Sequence, residues 1–168
     1  MNSGSPMRED NLKEIFDLML KKLKELEIEN KFSQWIDDRR NKNFEMTKLK
    51  GDNFLFEVLC KSMFVSGFRS KVVGEKWPII RRVFDNFDIS KVSKYDENRI
   101  NEILATPNII RHSLKIKGVV ENAKKITKIQ KEYGSFGNYI ESFKDTLLLA
   151  KALREFSYLG RETVWDYL

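Results

Sequence analysis

The run of residues that follows a break at Pro107 is the longest amphipathic stretch in the sequence. Along one side of this run, apolar side chains recur at helical spacing: Ile116, Val119, Val120, Ala123 and Ile126. Lysines occupy the opposite side: Lys117, Lys124, Lys128 and Lys131. Because one face of such a helix must be buried, we expect a long, central helix that turns a cationic face to solvent.

Helical periodicity also dominates the rest of the chain, and no alternating run of strand length interrupts it. Further helical segments are predicted at residues 11–29, 32–38, 53–68, 70–87, 97–106, 136–143 and 147–155. The fold class is therefore all-α. We expect a compact multi-helix domain over residues 10–168, preceded by a flexible N-terminus over residues 1–9.

Residues with strong capping or helix-breaking preferences set the expected boundaries. Asp52 is expected to cap the helix that it precedes, and Pro78 to divide or restart the helical run around it. Residues 93–96 have the form of a capping box. Gly134 and Ser135 predict the end of the long central helix and the start of the next one.

The charge balance favours an anionic partner. The sequence carries 31 Lys and Arg residues against 25 Asp and Glu residues, which gives a net charge of +6 and a pI near 9.3. Such an excess favours polyanions such as DNA through counterion release. Because charge alone does not establish a partner, a helical interaction domain without a nucleic-acid partner stays an alternative.

Cysteine usage and hydropathy point to one compartment. A single cysteine, Cys60, excludes an internal disulfide and indicates a reducing environment. The sequence has no apolar run long enough to cross a bilayer and no signal-peptide pattern. We therefore predict a cytoplasmic protein without a membrane partner, associated with the nucleoid if its source is prokaryotic.

Neither a metal centre nor a cofactor is expected. A tetrahedral zinc site needs about four ligands, whereas Cys60 and His112 are the only Cys and His residues in the chain. His112 is interpreted as a surface residue at a helix start. The eight glycines are scattered and form no phosphate-cradling or dinucleotide-binding pattern.

A short segment near the C-terminus, Leu-Gly-Arg-Glu-Thr at residues 159–163, joins two helical runs. A glycine lets the backbone approach a phosphate closely or adopt a positive φ, and the free N–H groups at a helix start point at an anion. The DNA-binding candidates here are Leu159, Gly160, Arg161 and Thr163. The alternative interpretation is an ordinary glycine cap at a helix end.

Three stretches in matching order resemble the 3-methyladenine DNA glycosylase I family of the helix-hairpin-helix glycosylase superfamily. They lie within residues 53–69, within residues 105–126 and at residues 156–163, and the second contains Ile-Ile-Arg-His, Lys-Ile and Asn-Ala in order. The resemblance covers residues 52–168. It implies a C-terminal helix-hairpin-helix element and a monomeric base-excision repair N-glycosylase that flips out and releases alkylated bases of the 3-methyladenine type from damaged duplex DNA.

Further site residues follow from this resemblance and from the chemistry of an extruded base. Residues 66–69 fall where the family has its base pocket, and the pocket candidates are Trp35, Ser62, Phe64, Phe68 and Arg69. Arg111 and Lys115 are added to the DNA-binding candidates, and Glu57 is the candidate catalytic acid. Aromatic residues at helical spacing also pack in cores, so a structural role is the alternative for the aromatic candidates.

The sequence also departs from the family pattern. Ser62 and Ser70 align with the family's pocket Glu and Trp, and the ligands of the family's structural zinc are missing. The catalytic Asp that many members of the wider superfamily carry beyond the hairpin would lie past Leu168. These departures support an alternative function, which is a catalytically silent helix-hairpin-helix module that binds DNA or a lesion.

Overall fold

The computed structural model describes residues 50–160 of the chain. These residues form seven α-helices, one short 3-10 turn and no strand, in the order α1 (Asp52–Val65), α2 (Ser70–Val83), the 3-10 turn (Asp85–Phe87), α3 (Ile89–Val92), α4 (Glu97–Ala105), α5 (Ser113–Tyr133), α6 (Phe136–Glu141) and α7 (Thr146–Leu153). The all-α prediction is confirmed. The helices predicted at residues 11–29 and 32–38, and the division into residues 1–9 and 10–168, involve residues outside the described range and stay predictions.

The long central helix is α5, and its apolar stripe is buried as the sequence predicts. The five stripe residues are at most 3% exposed: Ile116, Val119, Val120, Ala123 and Ile126. The predicted stop is confirmed too, because α5 ends at Tyr133 and Gly134 adopts a φ of 81°. Ser135 then caps α6 by accepting a hydrogen bond from the Asn138 amide at 2.9 Å. The core lies between α5 and α1, which buries apolar side chains along its whole length.

Asp52 caps a different helix from the one predicted. Gly51, with a φ of 79°, is the N-cap residue of α1. The Asp52 carboxylate instead accepts hydrogen bonds from the Phe136 amide at 2.8 Å and the Gly137 amide at 3.1 Å, which belong to the first turn of α6. It also accepts one from Gln130 Nε2 at 2.7 Å. One side chain therefore ties the start of α1 to the end of α5 and the start of α6.

We expect Asp52→Ala to lower the free energy of unfolding by about 2 kcal/mol, because it removes a helix cap and leaves charge-assisted hydrogen bonds unmade. The matched control is Asp145→Ala, since Asp145 caps α7 only through local bonds to the Leu147 and Leu148 amides. The control is expected to cost about 1 kcal/mol. Denaturant titrations of the three proteins test this, and equal losses for both variants would contradict the tertiary role of Asp52.

The helical run predicted at residues 70–87, which Pro78 was expected to divide or restart, ends four residues early in the structure. Helix α2 continues through Pro78 and ends at Val83, so Pro78 does not divide it. The next turn is left-handed at three successive residues, with φ of 51°, 56° and 58° at Asp85, Asn86 and Phe87. The buried Phe87 ring stacks on Trp77 at 5.2 Å between ring centres, which holds this turn in place.

A hydrogen bond from a neighbouring tyrosine also supports the left-handed turn. Tyr95 Oη donates to Asp85 Oδ2 at 2.6 Å, and burial together with this carboxylate raises the pKa of Tyr95 to about 12. The cap of α4 is Asp96, the last residue of the predicted capping box, which accepts a hydrogen bond from the Arg99 amide at 2.9 Å.

None of the helices in residues 50–160 is long and apolar enough to cross a membrane.

Candidate functional site

Two segments that are distant in the sequence lie against the first half of α5. One is the loop at residues 66–69, between α1 and α2, which the sequence assigns to the base pocket. The other is the turn at residues 156–159, which follows α7 and leads to the predicted hairpin. The contacts come from the N-cap of α5 and from side chains in its first three turns. Helix α5 therefore connects the two segments to which the sequence assigns base recognition and DNA binding.

Lys115 extends from the first turn of α5 to the C-terminal end of α1 and is only 5% exposed. Its Nζ donates to the carbonyl oxygen of Met63 at 2.7 Å, to that of Phe64 at 3.4 Å, and to that of Ser66. Because burial removes the ammonium from water, the pKa of Lys115 is lowered from its ordinary value. The ammonium lies 5.0 Å from the centre of the Phe68 ring. The predicted contact of Lys115 with DNA does not fit this buried placement.

His112 is the N-cap residue of α5, and its ring joins the loop to the turn. Its Nδ1 accepts a hydrogen bond from the Lys115 amide at 3.2 Å. The ring meets Phe68 of the loop and Tyr158 of the turn edge to face, with 6.1 Å between ring centres in each pair. The prediction of a helix-start residue is confirmed, but His112 is half-buried between two aromatic rings instead of lying on the surface.

Asn122 and Gly118 hold the turn against α5. Asn122 is 1% exposed, its Oδ1 accepts a hydrogen bond from the Ser157 amide at 2.8 Å, and its Nδ2 donates to the Ser157 carbonyl oxygen at 3.1 Å. Gly118 permits the close approach, because a Cβ at this position would lie 2.9 Å from the Tyr158 ring. Tyr158 has a φ of 61°, a left-handed conformation that persists in a non-glycine residue only where its surroundings hold it.

The predicted pocket residues are divided between the surface and the core. In the loop, Phe68 is half-buried and Arg69 is exposed, while Ser62 is half-buried in the last turn of α1. Phe64 is 1% exposed, and its ring packs edge to face on Trp77 with 6.1 Å between ring centres. The structure therefore gives Phe64 a core position in place of the predicted pocket position, because its ring is enclosed by other apolar side chains.

Glu57 lies away from the loop and is already engaged by two side chains. Its Oε1 accepts a hydrogen bond from Trp77 Nε1 at 3.0 Å and lies 3.3 Å from Arg81 Nε. Val65, the last residue of α1, follows Glu57 by eight residues, which is about 12 Å along the helix axis. These contacts orient the Trp77 indole against the core. Catalysis by Glu57 stays a prediction, and its geometry supports a structural role better.

The structure covers the predicted hairpin only at its start. Leu159 is 2% exposed, whereas Gly160 is exposed, and a Cβ added to Gly160 would meet no heavy atom of the described residues within 4 Å. The left-handed residue of this turn is Tyr158 rather than Gly160, so the expected positive φ at Gly160 is absent. Space for close approach by a ligand remains. Three predicted site residues lie outside the described range: Trp35, Arg161 and Thr163.

Exposed cations lie on α5 and directly before it. Arg111, the residue before the N-cap, is exposed. Of the four lysines predicted on the cationic face of α5, three are exposed: Lys124, Lys128 and Lys131. The fourth, Lys117, is half-buried and forms an ion pair with Glu97 at 3.0 Å. The predicted cationic face of α5 is thus available to an anionic partner along most of its length.

Two residues with positioning roles could have been found from the sequence. Lys115 and Asn122 fall on the apolar stripe of α5, at helical spacing with Val119 and Ile126. A polar side chain on a buried face needs a partner inside the protein, so this placement is a usable signal. Tyr158 carried no such signal, because its position depends on a turn that only the tertiary structure forms.

The described residues offer no cluster of three or more His, Cys, Asp and Glu side chains that could hold a metal ion. The Cys60 thiol is fully buried, and burial with the nearby charge of Glu57 raises its pKa well above the ordinary value. A thiol in this environment is unreactive.

Comparisons with known proteins identify relatives of this chain. The sequence model of the family described as methyladenine glycosylase matches residues 43–163. DNA-3-methyladenine glycosylase from Haemophilus influenzae is 30% identical over 89 residues, which are 53% of this chain and 48% of that protein. DNA-3-methyladenine glycosylase 1 from Escherichia coli is 28% identical over the same fractions of the two chains. The chain spans about half the length of these curated relatives.

Solved structures share the fold. The structure of 3-methyladenine DNA glycosylase I from Staphylococcus aureus, described as giving the structural basis of 3-methyladenine recognition, has a TM-score of 0.63 and 24% identity. That likeness covers 70% of this chain and 74% of the other chain. The Y16F variant of a 3-methyladenine DNA glycosylase I in complex with 3-methyladenine has a TM-score of 0.62 and 23% identity, over 70% and 75% of the two chains.

Proposed function

The chain belongs to the methyladenine glycosylase family, and we propose that it is a monofunctional DNA N-glycosylase of base-excision repair that flips out and releases alkylated bases of the 3-methyladenine type. The observation that carries this proposal is the joint attachment of two segments to α5, within the residues that the family model matches. Lys115 holds the predicted base-pocket loop, and Asn122 holds the turn that leads to the predicted hairpin.

The chemistry of an alkylated purine suits a site without a strong catalytic acid. Alkylation gives the base a positive charge, which weakens the glycosidic bond and makes the neutral base a good leaving group. The protein then has to hold the extruded base by stacking and edge hydrogen bonds, and to stabilise the developing charge on the sugar. In the described residues, Phe68 offers a half-buried aromatic ring and Ser62 a hydroxyl near the loop.

We assign DNA binding to the surface around Gly160, where the turn at residues 156–159 ends. Leu159 anchors the turn in the core, and Gly160 begins the segment whose N–H groups we propose to contact a phosphate, with Arg161 and Thr163. Arg111 and the exposed lysines of α5 would add charge contacts. We further propose that the protein acts as a monomer on damaged duplex DNA in the cytoplasm.

The test is release of free base from methylated duplex DNA by the purified protein, measured by chromatography against a sample without protein. We expect 3-methyladenine in the released fraction and a matching number of abasic sites in the DNA. Protein that binds the methylated duplex but releases no base would reject the glycosylase function. That result would establish the catalytically silent DNA- or lesion-binding module, which Ser62 and Ser70 at the family's pocket Glu and Trp positions favour.

Affinity for undamaged duplex DNA is expected to fall steeply as the salt concentration rises and to depend little on sequence. The contacts proposed here are with phosphates, and each neutralised phosphate contributes about 0.9 to the slope of log affinity against log salt. Fluorescence anisotropy with two unrelated duplexes over a series of salt concentrations measures both properties. A slope near zero, or no binding at low salt, would favour an interaction domain without a nucleic-acid partner.

A further inference from the structure

The buried ammonium of Lys115 donates hydrogen bonds to carbonyl oxygens at the end of α1. The carbonyl oxygens of Ser62 and Val65 accept hydrogen bonds from backbone amides of the following turn. Met63 and Phe64 lie between these two residues, and Lys115 Nζ donates hydrogen bonds to their carbonyl oxygens and to that of Ser66. An ammonium has three N–H donors, so all three are used.

Among the described hydrogen bonds at the end of α1, no backbone amide beyond the helix reaches the Met63 and Phe64 carbonyl oxygens, which are bonded by Lys115. Gly67, with a φ of 94°, follows the C-cap residue in the left-handed conformation that commonly ends a helix. A buried ammonium is costly to desolvate, and burial lowers the pKa of Lys115 accordingly. The negative end of the helix dipole and the three carbonyl oxygens offset that cost. Capping of α1 accounts for two of the three hydrogen bonds, and the third, to the carbonyl oxygen of Ser66, belongs to the loop.

The ammonium is placed to fix the loop at residues 66–69. It bonds the first residue of the loop, Ser66, and lies 5.0 Å from the ring centre of Phe68. A Cβ on Gly67 would lie 3.8 Å from Lys115 Nζ. The ammonium thus sits on the inner side of the loop, and the Phe68 ring is held between this cation and the edge-on ring of His112.

We infer that Lys115 is the positioning residue of the base pocket, which holds the loop at residues 66–69 and the Phe68 ring where an extruded base is received. This inference rests on the function proposed above. It replaces the contact with DNA that was predicted for Lys115. The position of the loop, and not the affinity for DNA, is then what depends on Lys115.

Lys115→Met tests the inference, because methionine keeps most of the length of the side chain and removes the charge and all three donors. Misplacing a reacting group by about 1 Å can cost about a hundredfold in rate, so we expect kcat for base release to fall by about that factor. Affinity for undamaged duplex should stay within about twofold, since the side chain is not at the phosphate surface. Lys115→Arg, which keeps the charge and the donors, should restore a large part of the rate.

The matched control is Arg99→Met on α4. Arg99 Nη2 also donates to a backbone carbonyl oxygen, that of Val83 at 2.9 Å, and its guanidinium lies 5.3 Å from the ring centre of Tyr95, so these contacts belong neither to the loop nor to the turn at residues 156–159. Its substitution should leave base release unchanged. Melting temperatures are recorded for every variant, and Lys115→Gln, which keeps two N–H donors, takes the place of Lys115→Met if the latter does not fold.

The outcomes separate this inference from the proposed function. A folded Lys115→Met protein that releases base at the parental rate overturns the inference alone, as does an equal loss of rate in Arg99→Met. Binding of free 3-methyladenine is measured by quenching of tryptophan fluorescence. If the parental protein neither releases base from methylated duplex nor binds free 3-methyladenine, the proposed function and the inference are overturned together.

Discussion

Gly160→Arg is expected to abolish measurable binding to duplex DNA without unfolding the protein. The proposed contact needs the backbone near Gly160 to lie against a phosphate, and an arginine side chain would occupy that space. Losing two charge-assisted hydrogen bonds at about 1.5 to 3 kcal/mol each corresponds to at least about a hundredfold in affinity. Fluorescence anisotropy at low salt measures the loss. Because φ at Gly160 is not left-handed and a Cβ there meets no heavy atom of the described part of the chain within 4 Å, we expect little change in melting temperature.

A matched control for Gly160→Arg is available in α2. Gly74 is exposed, and a Cβ added to it also meets no heavy atom of residues 50–160 within 4 Å. Gly74→Arg therefore adds the same charge and the same side chain on a different helix, outside the hairpin, and it should leave DNA affinity unchanged or slightly higher. If folded Gly160→Arg binds DNA as tightly as Gly74→Arg, the hairpin assignment is wrong and Gly160 is an ordinary helix-junction glycine.

Asn122→Ala is expected to be strongly destabilising and also to weaken DNA binding. The substitution leaves the amide and the carbonyl oxygen of Ser157 without their partner in a half-buried position next to the buried Asn122 site. Each unsatisfied buried group costs about 1 to 3 kcal/mol, so we expect a loss of about 3 kcal/mol. For a chain of this size the melting temperature should fall by roughly 6 to 12 °C. Calorimetry measures the shift, and anisotropy at a temperature where the variant is folded measures DNA affinity.

The control for Asn122→Ala is Ser157→Ala, which keeps the backbone clamp and removes only an exposed hydrogen bond from Ser157 Oγ to Glu121 Oε2, 2.7 Å long. An exposed bond of this kind contributes within about 0.5 kcal/mol. A melting temperature for Asn122→Ala equal to that of Ser157→Ala would show that the turn at residues 156–159 does not depend on the clamp. If Asn122→Ala is less stable but binds DNA with the parental affinity, the turn does not contribute to the DNA-binding surface.

Local sequence patterns predicted the elements that depend on local chemistry. The apolar stripe of α5, its end at Gly134 and the cap at Ser135 all follow from helical periodicity and backbone preference, which act within a few residues. The order of the three family-like stretches indicated the family before any geometry was known. Pro78 was misinterpreted, because packing of Trp77 and Ile80 in the core holds α2 together across a residue that usually interrupts a helix.

Tertiary structure alone decided where the polar side chains of the candidate site point. Asp52 was predicted to cap the helix that follows it in the sequence, but it caps α6 because the chain folds back and brings the Phe136 amide to it. In the sequence, the lysine at position 115 falls on the apolar stripe of α5, but no local pattern indicates which groups its ammonium meets. Its ammonium is buried because the carbonyl oxygens at the end of α1, about 50 residues earlier, lie within reach and offset the loss of water.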